Sequence, residues 1–101
     1  MVVWTDTAVS HITEFIDNAR EGTEKTAKSY MNKLVDYVTI LEEMPNIGKK
    51  MDYMLFEYEI RQIIYKKHRI IYHLKNNNVV VLAILHTKLD IDSALKRLNK
   101  N

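Results

Sequence analysis

The chain predicts an α+β fold of order β-α-α-β-β-β, an antiparallel sheet packed on a two-helix hairpin. Three observations carry this. Two adjacent stretches place apolar residues at helical spacing, a strong breaker follows at Pro45-Asn46-Ile47-Gly48, and the second half is rich in Ile, Val and Tyr with short polar interruptions.

Val2-Val3-Trp4 is β-branched and aromatic and reads as a first strand. Thr5 or Asp6 caps the helix after it, in which Ala8, Ile12, Phe15, Ile16 and Ala19 form the apolar face. Gly22 suits the left-handed conformation past that helix, and Thr23 caps a longer one. Its stripe is Ala27, Tyr30, Met31, Leu34, Val38 and Leu41, and Pro45 stops it. Tyr30, Tyr37, Met31 and Met44 read as core or half-core packing, with a partner groove as the alternative.

Lys49 to Asp52 reads as irregular connection. Strands are then expected over Leu55–Tyr65, His68–Lys75 and Val79–Thr87, joined by turns at Lys66-Lys67 and at Asn76-Asn77-Asn78. The last strand is apolar at both parities, so it belongs inside the sheet, with the first strand beside it. Ile91, Ala94, Leu95 and Leu98 suggest a short C-terminal amphipathic helix.

With 101 residues the chain suits one domain, its core over about 2–90 and a tail over 91–101. At 47% hydrophobic and 28% charged it has the balance of a globular protein and not of a disordered tail. The absence of Cys excludes disulfide scaffolds, thiolate metal sites and cysteine nucleophiles. No apolar run approaches the roughly 18 residues of a membrane span, and no signal peptide opens the chain, so a cytoplasmic location and no membrane partner are expected.

The net charge of +2 is unevenly placed: residues 1–45 hold four basic and eight acidic groups, residues 46–101 eleven and five. The second half therefore suits an anionic partner, a nucleic acid or an acidic peptide. Its basic set is Arg61, Lys66, Lys67, His68, Arg69, His73, His86 and Lys88. A two-residue turn at Lys66-Lys67 pairs Tyr65 with His68, Ile63 with Ile70 and Arg61 with Tyr72 on one face. It puts Ile64 with Arg69 and Ile60 with His73 on the other. Cations at neighbouring strand ends suit phosphates, with Tyr65 or Tyr72 to stack a base. The competing reading has Arg61 and Arg69 paired with Glu57, Glu59 or helix acids.

His68 and His73 are an odd number of positions apart, point to opposite faces and cannot share a metal ion. His11 stands alone on a helix, so neither metal nor cofactor is expected. Ser10, Ser29 and Ser93 lack the setting of a nucleophile elbow, and no glycine loop cradles phosphate. RNA cleavage by transphosphorylation asks for less: a base, an acid and cations around the phosphate. His86 is the candidate acid or base for it, with Arg61, Arg69 and Lys88 as charge stabilisers. The alternative is a hydrogen-bonded structural histidine.

The Val-Val-Trp-Thr opening, Leu41-Glu42-Glu43-Met44-Pro45-Asn46-Ile47-Gly48, Glu59-Ile60-Arg61, His68-Arg69-Ile70-Ile71-Tyr72 and the ending His86-Thr87-Lys88-Leu89-Asp90 occur in a telling order. The chain resembles the RelE/ParE superfamily of type II toxin–antitoxin toxins over about residues 2–90. The resemblance implies a bacterial growth inhibitor neutralised by a cognate antitoxin, an acidic segment of which would meet the basic half. Lys66, Lys67, Tyr72 and His73 are its candidate contacts with antitoxin or nucleic acid. The RelE-like branch cleaves ribosome-bound mRNA without metal, a role that would fall to Arg61, Arg69, His86 and Lys88. The ParE-like branch inhibits DNA gyrase, and the turn at Pro45–Gly48 and the ending at His86–Asp90 look more ParE-like. Leu89 departs from the basic residue often found there. A non-toxic regulatory module that only binds the antitoxin is the third reading.

Overall fold

A computed structural model describes residues 1–51 and 56–99. Along the chain run β1 (Val2–Trp4), α1 (Asp6–Asp17), α2 (Glu24–Val38), a 3₁₀ turn (Thr39–Glu42), β2 (Lys49–Met51), β3 (Ile60–Tyr65), β4 (His68–Lys75), β5 (Asn78–His86) and α3 (Ile91–Asn99). The strands form one sheet in the order β1-β5-β4-β3-β2.

The expected α+β architecture is present, with one correction. β1 pairs with β5 in parallel, Val2 opposite Val79 and Trp4 opposite Val81, so the sheet is mixed and not wholly antiparallel. The reason is β2, whose residues have the composition of a connection. Lys49-Lys50-Met51 pairs antiparallel with β3 from the outer edge of the sheet, where lysines are common because they discourage further pairing. An out-and-back pair of helices followed by four strands, each antiparallel to the next, adds one reversal of direction and brings β5 alongside β1. The strand expected from Leu55 begins at Ile60, since 56–58 are bends and 59 is irregular; Leu55 itself lies outside the described residues.

The register of the β3–β4 hairpin is the expected one. Tyr65 faces His68, Ile63 faces Ile70, and Arg61 faces Tyr72. Lys66 takes a left-handed φ of 51° in that turn, and Asn76 and Asn77 take 51° and 66° in the next. Between β4 and β5 the register slips, Ile71 facing Ala83 but Tyr72 facing Val81, which leaves Leu82 as the extra residue of a bulge.

Both faces of the sheet are used. One packs Ile63, Ile70, Tyr72, Val79, Val81 and Ile84 against Ala8, Met31, Leu34, Val38 and Leu41 of the helical layer. The other packs Ile60, Ile71, Ala83 and Leu85 against Ala94 and Leu95 of α3. Full burial of each large apolar side chain is worth about 1.5–3 kcal/mol. Thr5 caps α1 by accepting from the Ala8 N–H at 3.2 Å, and its hydroxyl donates to the Val81 carbonyl at 2.8 Å, tying the start of α1 to β5. Thr23 stands at the start of α2 but makes no side-chain cap there; its hydroxyl donates to the Arg20 carbonyl at 2.6 Å.

The Pro45–Gly48 turn is latched to the sheet by Tyr72. The fully buried phenol donates to the Pro45 carbonyl at 2.7 Å and accepts the Gly48 N–H at 3.0 Å. A Cβ at Gly48 would collide with the Tyr72 hydroxyl and lie 2.7 Å from its Cε1 and 2.9 Å from the Gln62 carbonyl oxygen. Gly48→Ala is therefore expected to destabilise the fold by about 1–3 kcal/mol through overpacking. Tyr72→Phe, which leaves a buried N–H and C=O without their partner, should cost about 1–3 kcal/mol. Urea titration of both variants checks these values.

Candidate functional site

The helix-facing side of the sheet ends, beyond Ile70 and Ile84, in a pair of opposed histidines. His68 opens β4, His86 closes β5, and the register sets them across from each other with ring centroids 5.4 Å apart. α1 brings a third, His11, to the same place. The three line a cleft of about 480 Å³ with Thr7, Glu14 and Phe15 on α1 and Arg97 on α3.

Each imidazole is oriented through its Nδ1. β1 pairs only Val79 to Val81, and further along β5 the Ile84 N–H is satisfied by His11 Nδ1 at 3.1 Å. The Tyr30 hydroxyl on α2 lies 2.7 Å from His68 Nδ1. The Lys88 N–H donates to His86 Nδ1 at 3.0 Å, closing the turn after β5. A neutral ring whose Nδ1 accepts an N–H carries its proton on Nε2, so His11 and His86 present donors. A metal at either Nε2 would require a proton on the Nδ1 that is already accepting. Among the described residues no group of three His, Asp or Glu side chains is placed to hold a metal ion.

Burial lowers the His68 pKa from its ordinary 6.5, and the neighbouring His86 lowers it further. Burial also lowers that of His11, against an opposing pull from Glu14. Phe15 meets the His68 ring edge-on at 5.3 Å and packs against Tyr30 at 5.4 Å, so aromatic rings enclose His68 on its helix side. Beside it a second cleft of about 440 Å³ runs between α1, α2 and the exposed Lys66-Lys67 turn.

The other sequence-derived candidates are dispersed. Arg61, on the helix-facing side, donates to Glu59 at 2.9 Å and to the carbonyls of Asn46 and Gly48 at 3.0 and 2.8 Å. It thus reinforces the Tyr72 latch. Lys50 and Arg61 together hold the Glu59 carboxyl below the usual carboxylate range. Arg69 stands on the opposite face, opposite Ile64 and Leu85, and donates to Gln62 Oε1 at 2.9 Å. Lys66 and Lys67 form the exposed β3–β4 turn, with the Lys66 ammonium 5.5 Å from the Tyr65 ring centre. Tyr72 has no exposed surface with which to meet a partner. His73 is buried against Tyr58 on the face away from His68. Of the four candidates for phosphate chemistry, His86 and Lys88 stay together, through the Lys88 backbone.

His11 and Tyr30 were missed as partners of this cluster. His11 stands alone in the sequence, because periodicity shows which face of α1 is apolar but not where along the sheet that face lands. The available signal was the pairing of Tyr65 with His68 over a two-residue turn, which puts His68 at the sheet end nearest the helices.

A small sheet covered on one face by a helical hairpin, with a basic second half, is the fold that the sequence resemblance implies. The family model of the ParE toxin of type II toxin–antitoxin systems, parDE, matches residues 2–91, and the chain belongs to that family. It is a type II toxin of a toxin–antitoxin system. In the chromosomal ParDE system from P. aeruginosa, one chain superposes with a TM-score of 0.72 at 16% identity, covering 86% of this chain and 95% of that one. A chain of the heterotetrameric YoeB–YefM toxin–antitoxin complex from Staphylococcus aureus gives 0.46 at 19% identity, over 85% and 94% of the two chains. No curated protein sequence matches. Among the described residues no helix is long and apolar enough to cross a membrane.

The histidine cluster sets an acid limit on stability. His11 and His68 hold fewer protons folded than unfolded, so stability is constant well above pH 6.5 and falls as pH drops below it toward their lowered folded values. Thermal melts from pH 8 to 5 should show this fall, and His68→Phe should flatten it. An unchanged slope would mean that His68 is not a contributor.

Proposed function

We propose that this toxin arrests growth by inhibiting DNA gyrase and is held inactive by a cognate antitoxin protein. The observation that carries the choice of target is the separation of Arg61 and Arg69. They lie on opposite faces of the sheet, one committed to Glu59 and two backbone carbonyls, the other to Gln62. Metal-free cleavage of RNA needs its base, acid and cations around a single phosphate. His86, whose Nδ1 accepts the Lys88 N–H, has neither arginine among its hydrogen-bond partners. Membership in the ParE family favours the same target.

The antitoxin reading rests on the family and on charge. The half of the chain from residue 46 onward carries the positive excess, and Lys66-Lys67 presents part of it on an exposed turn beside an apolar cleft. An acidic segment with apolar side chains is complementary to that surface, and its affinity would weaken as salt screens the lysines.

Two assays with the purified chain separate the targets. Gyrase should lose supercoiling activity as the toxin is added, and ribosomes programmed with mRNA should yield intact message on primer extension. Cuts within codons, with gyrase unaffected, would overturn the proposal and return Arg61, Arg69 and His86 to a catalytic role. Arg61→Ala should lower the melting temperature while any soluble fraction keeps its activity on gyrase.

A further inference from the structure

β5 is longer than the strand beside it. β1 covers Val79 to Val81, and beyond them, among the described residues, α1 takes the place of a strand along the outer edge of β5. Its cap contributes first: the Thr5 hydroxyl reaches the carbonyls of Val81 and Leu82 at 2.8 and 3.3 Å. Further along the helix, the His11 ring offers Nδ1 to the Ile84 N–H at 3.1 Å.

A backbone N–H can only donate, so this last bond exists in one protonation state of the ring. The neutral ring accepts at Nδ1; in the imidazolium both nitrogens carry protons, and two donors then face each other. The other two rings of the cluster tolerate a proton better. Tyr30 can donate to His68 Nδ1 or accept from it, because a hydroxyl does both. The Lys88 N–H lies in an exposed turn, where water can take the place of His86. The Ile84 N–H is part-buried under α1, and leaving it without an acceptor is costly.

We propose that His11 is a proton-operated catch, holding α1 against the outer edge of β5 when neutral and releasing it when charged. Release is local. The Thr5 cap and the fully buried Ala8 carry no titrating group and keep the start of α1 docked. The helix from His11 onward lifts, widening the cleft lined by Phe15, Met31 and Ile84 and uncovering the edge of β5 past Val81. The charged and titratable groups around His11 in that cleft are Glu14 on α1 itself, His68 on β4, His86 on β5 and Arg97 on α3, with Tyr30 of α2 against His68. Glu14 favours the charged ring, but burial is the larger effect and keeps the pKa below 6.5. Arg97 and the other two imidazoles offer a cation no attraction. Opening therefore takes up a proton. The open population grows as pH falls below 6.5, by up to about tenfold per pH unit, and levels off below the lowered value of the closed form. The catch goes beyond the gyrase reading and works whichever target the toxin meets.

The test is NMR on the intact chain between pH 7.5 and 5. The hydrogen-exchange protection factor of the Ile84 amide should fall below pH 6.5 by up to about tenfold per unit. It should also lie below that of Ile71, inside the sheet, at every pH, which marks a local opening. His11→Asn places an amide oxygen where Nδ1 stood, an acceptor that does not titrate; protection of Ile84 should then be independent of pH, at a melting temperature near the parent's at pH 7.5. Long-range nitrogen–proton spectra of the parent at pH 7.5 should show the His11 proton on Nε2. The proposal is overturned by a proton on Nδ1 there, which needs no variant to fold. It is also overturned if Ile84 protection in the parent is constant with pH, if it equals that of Ile71 throughout, or if His11→Asn keeps the parent's pH dependence.

Discussion

The fold depends on what becomes of one phenol. Tyr72 sits in the middle of the central strand pair with no surface exposed, and its hydroxyl must find partners or carry a desolvation cost. It finds them in the turn after the helical layer, donating to Pro45 and accepting from Gly48. Arg61, its cross-strand neighbour, grips the same turn through the carbonyls of Asn46 and Gly48. The turn delivers the chain into β2, and β2 determines how many times the chain reverses before β5. Through that count the Tyr72 contact bears on whether β1 meets its partner strand in parallel.

This contact also redistributes the chemistry. An arginine that braces a turn and a tyrosine that fills a core are withdrawn from any phosphate-handling surface. What remains polar at the helix-facing end is three imidazoles with Glu14 and Arg97 beside them, two of the rings already accepting backbone N–H groups. Such groups orient and donate; they are poor proton acceptors while their Nδ1 atoms are engaged. The proposed inhibition of gyrase asks for no tuned acid and base, and the arrangement is compatible with it.

Much of the fold was legible because its signals are local. The two-residue turn at Lys66-Lys67 fixes a register, and that register correctly paired Arg61 with Tyr72 and Ile60 with His73. The double-sided apolar pattern of Val79 to Leu85 placed β5 inside the sheet. The misses were of another kind. Lys49-Lys50 has loop-like composition, and only the neighbouring strand makes it a sheet edge. The Gly48–Tyr72 bond joins groups 24 positions apart, and no periodicity reports it. His11 and Tyr30 reach His68 only because the helices land at one end of the sheet. For the arginines the residue types were a fair guide to charge but not to direction, and Glu59 was among the expected partners of Arg61.

The bond from the Thr5 hydroxyl to Val81 spans 76 positions, and among the described residues β1 has no other strand beside it. During synthesis β1 must therefore wait, unpaired, until β5 has been made. A growth inhibitor built this way has no closed sheet until β5 emerges, so the cell making it meets no finished toxin before that point in each round of translation.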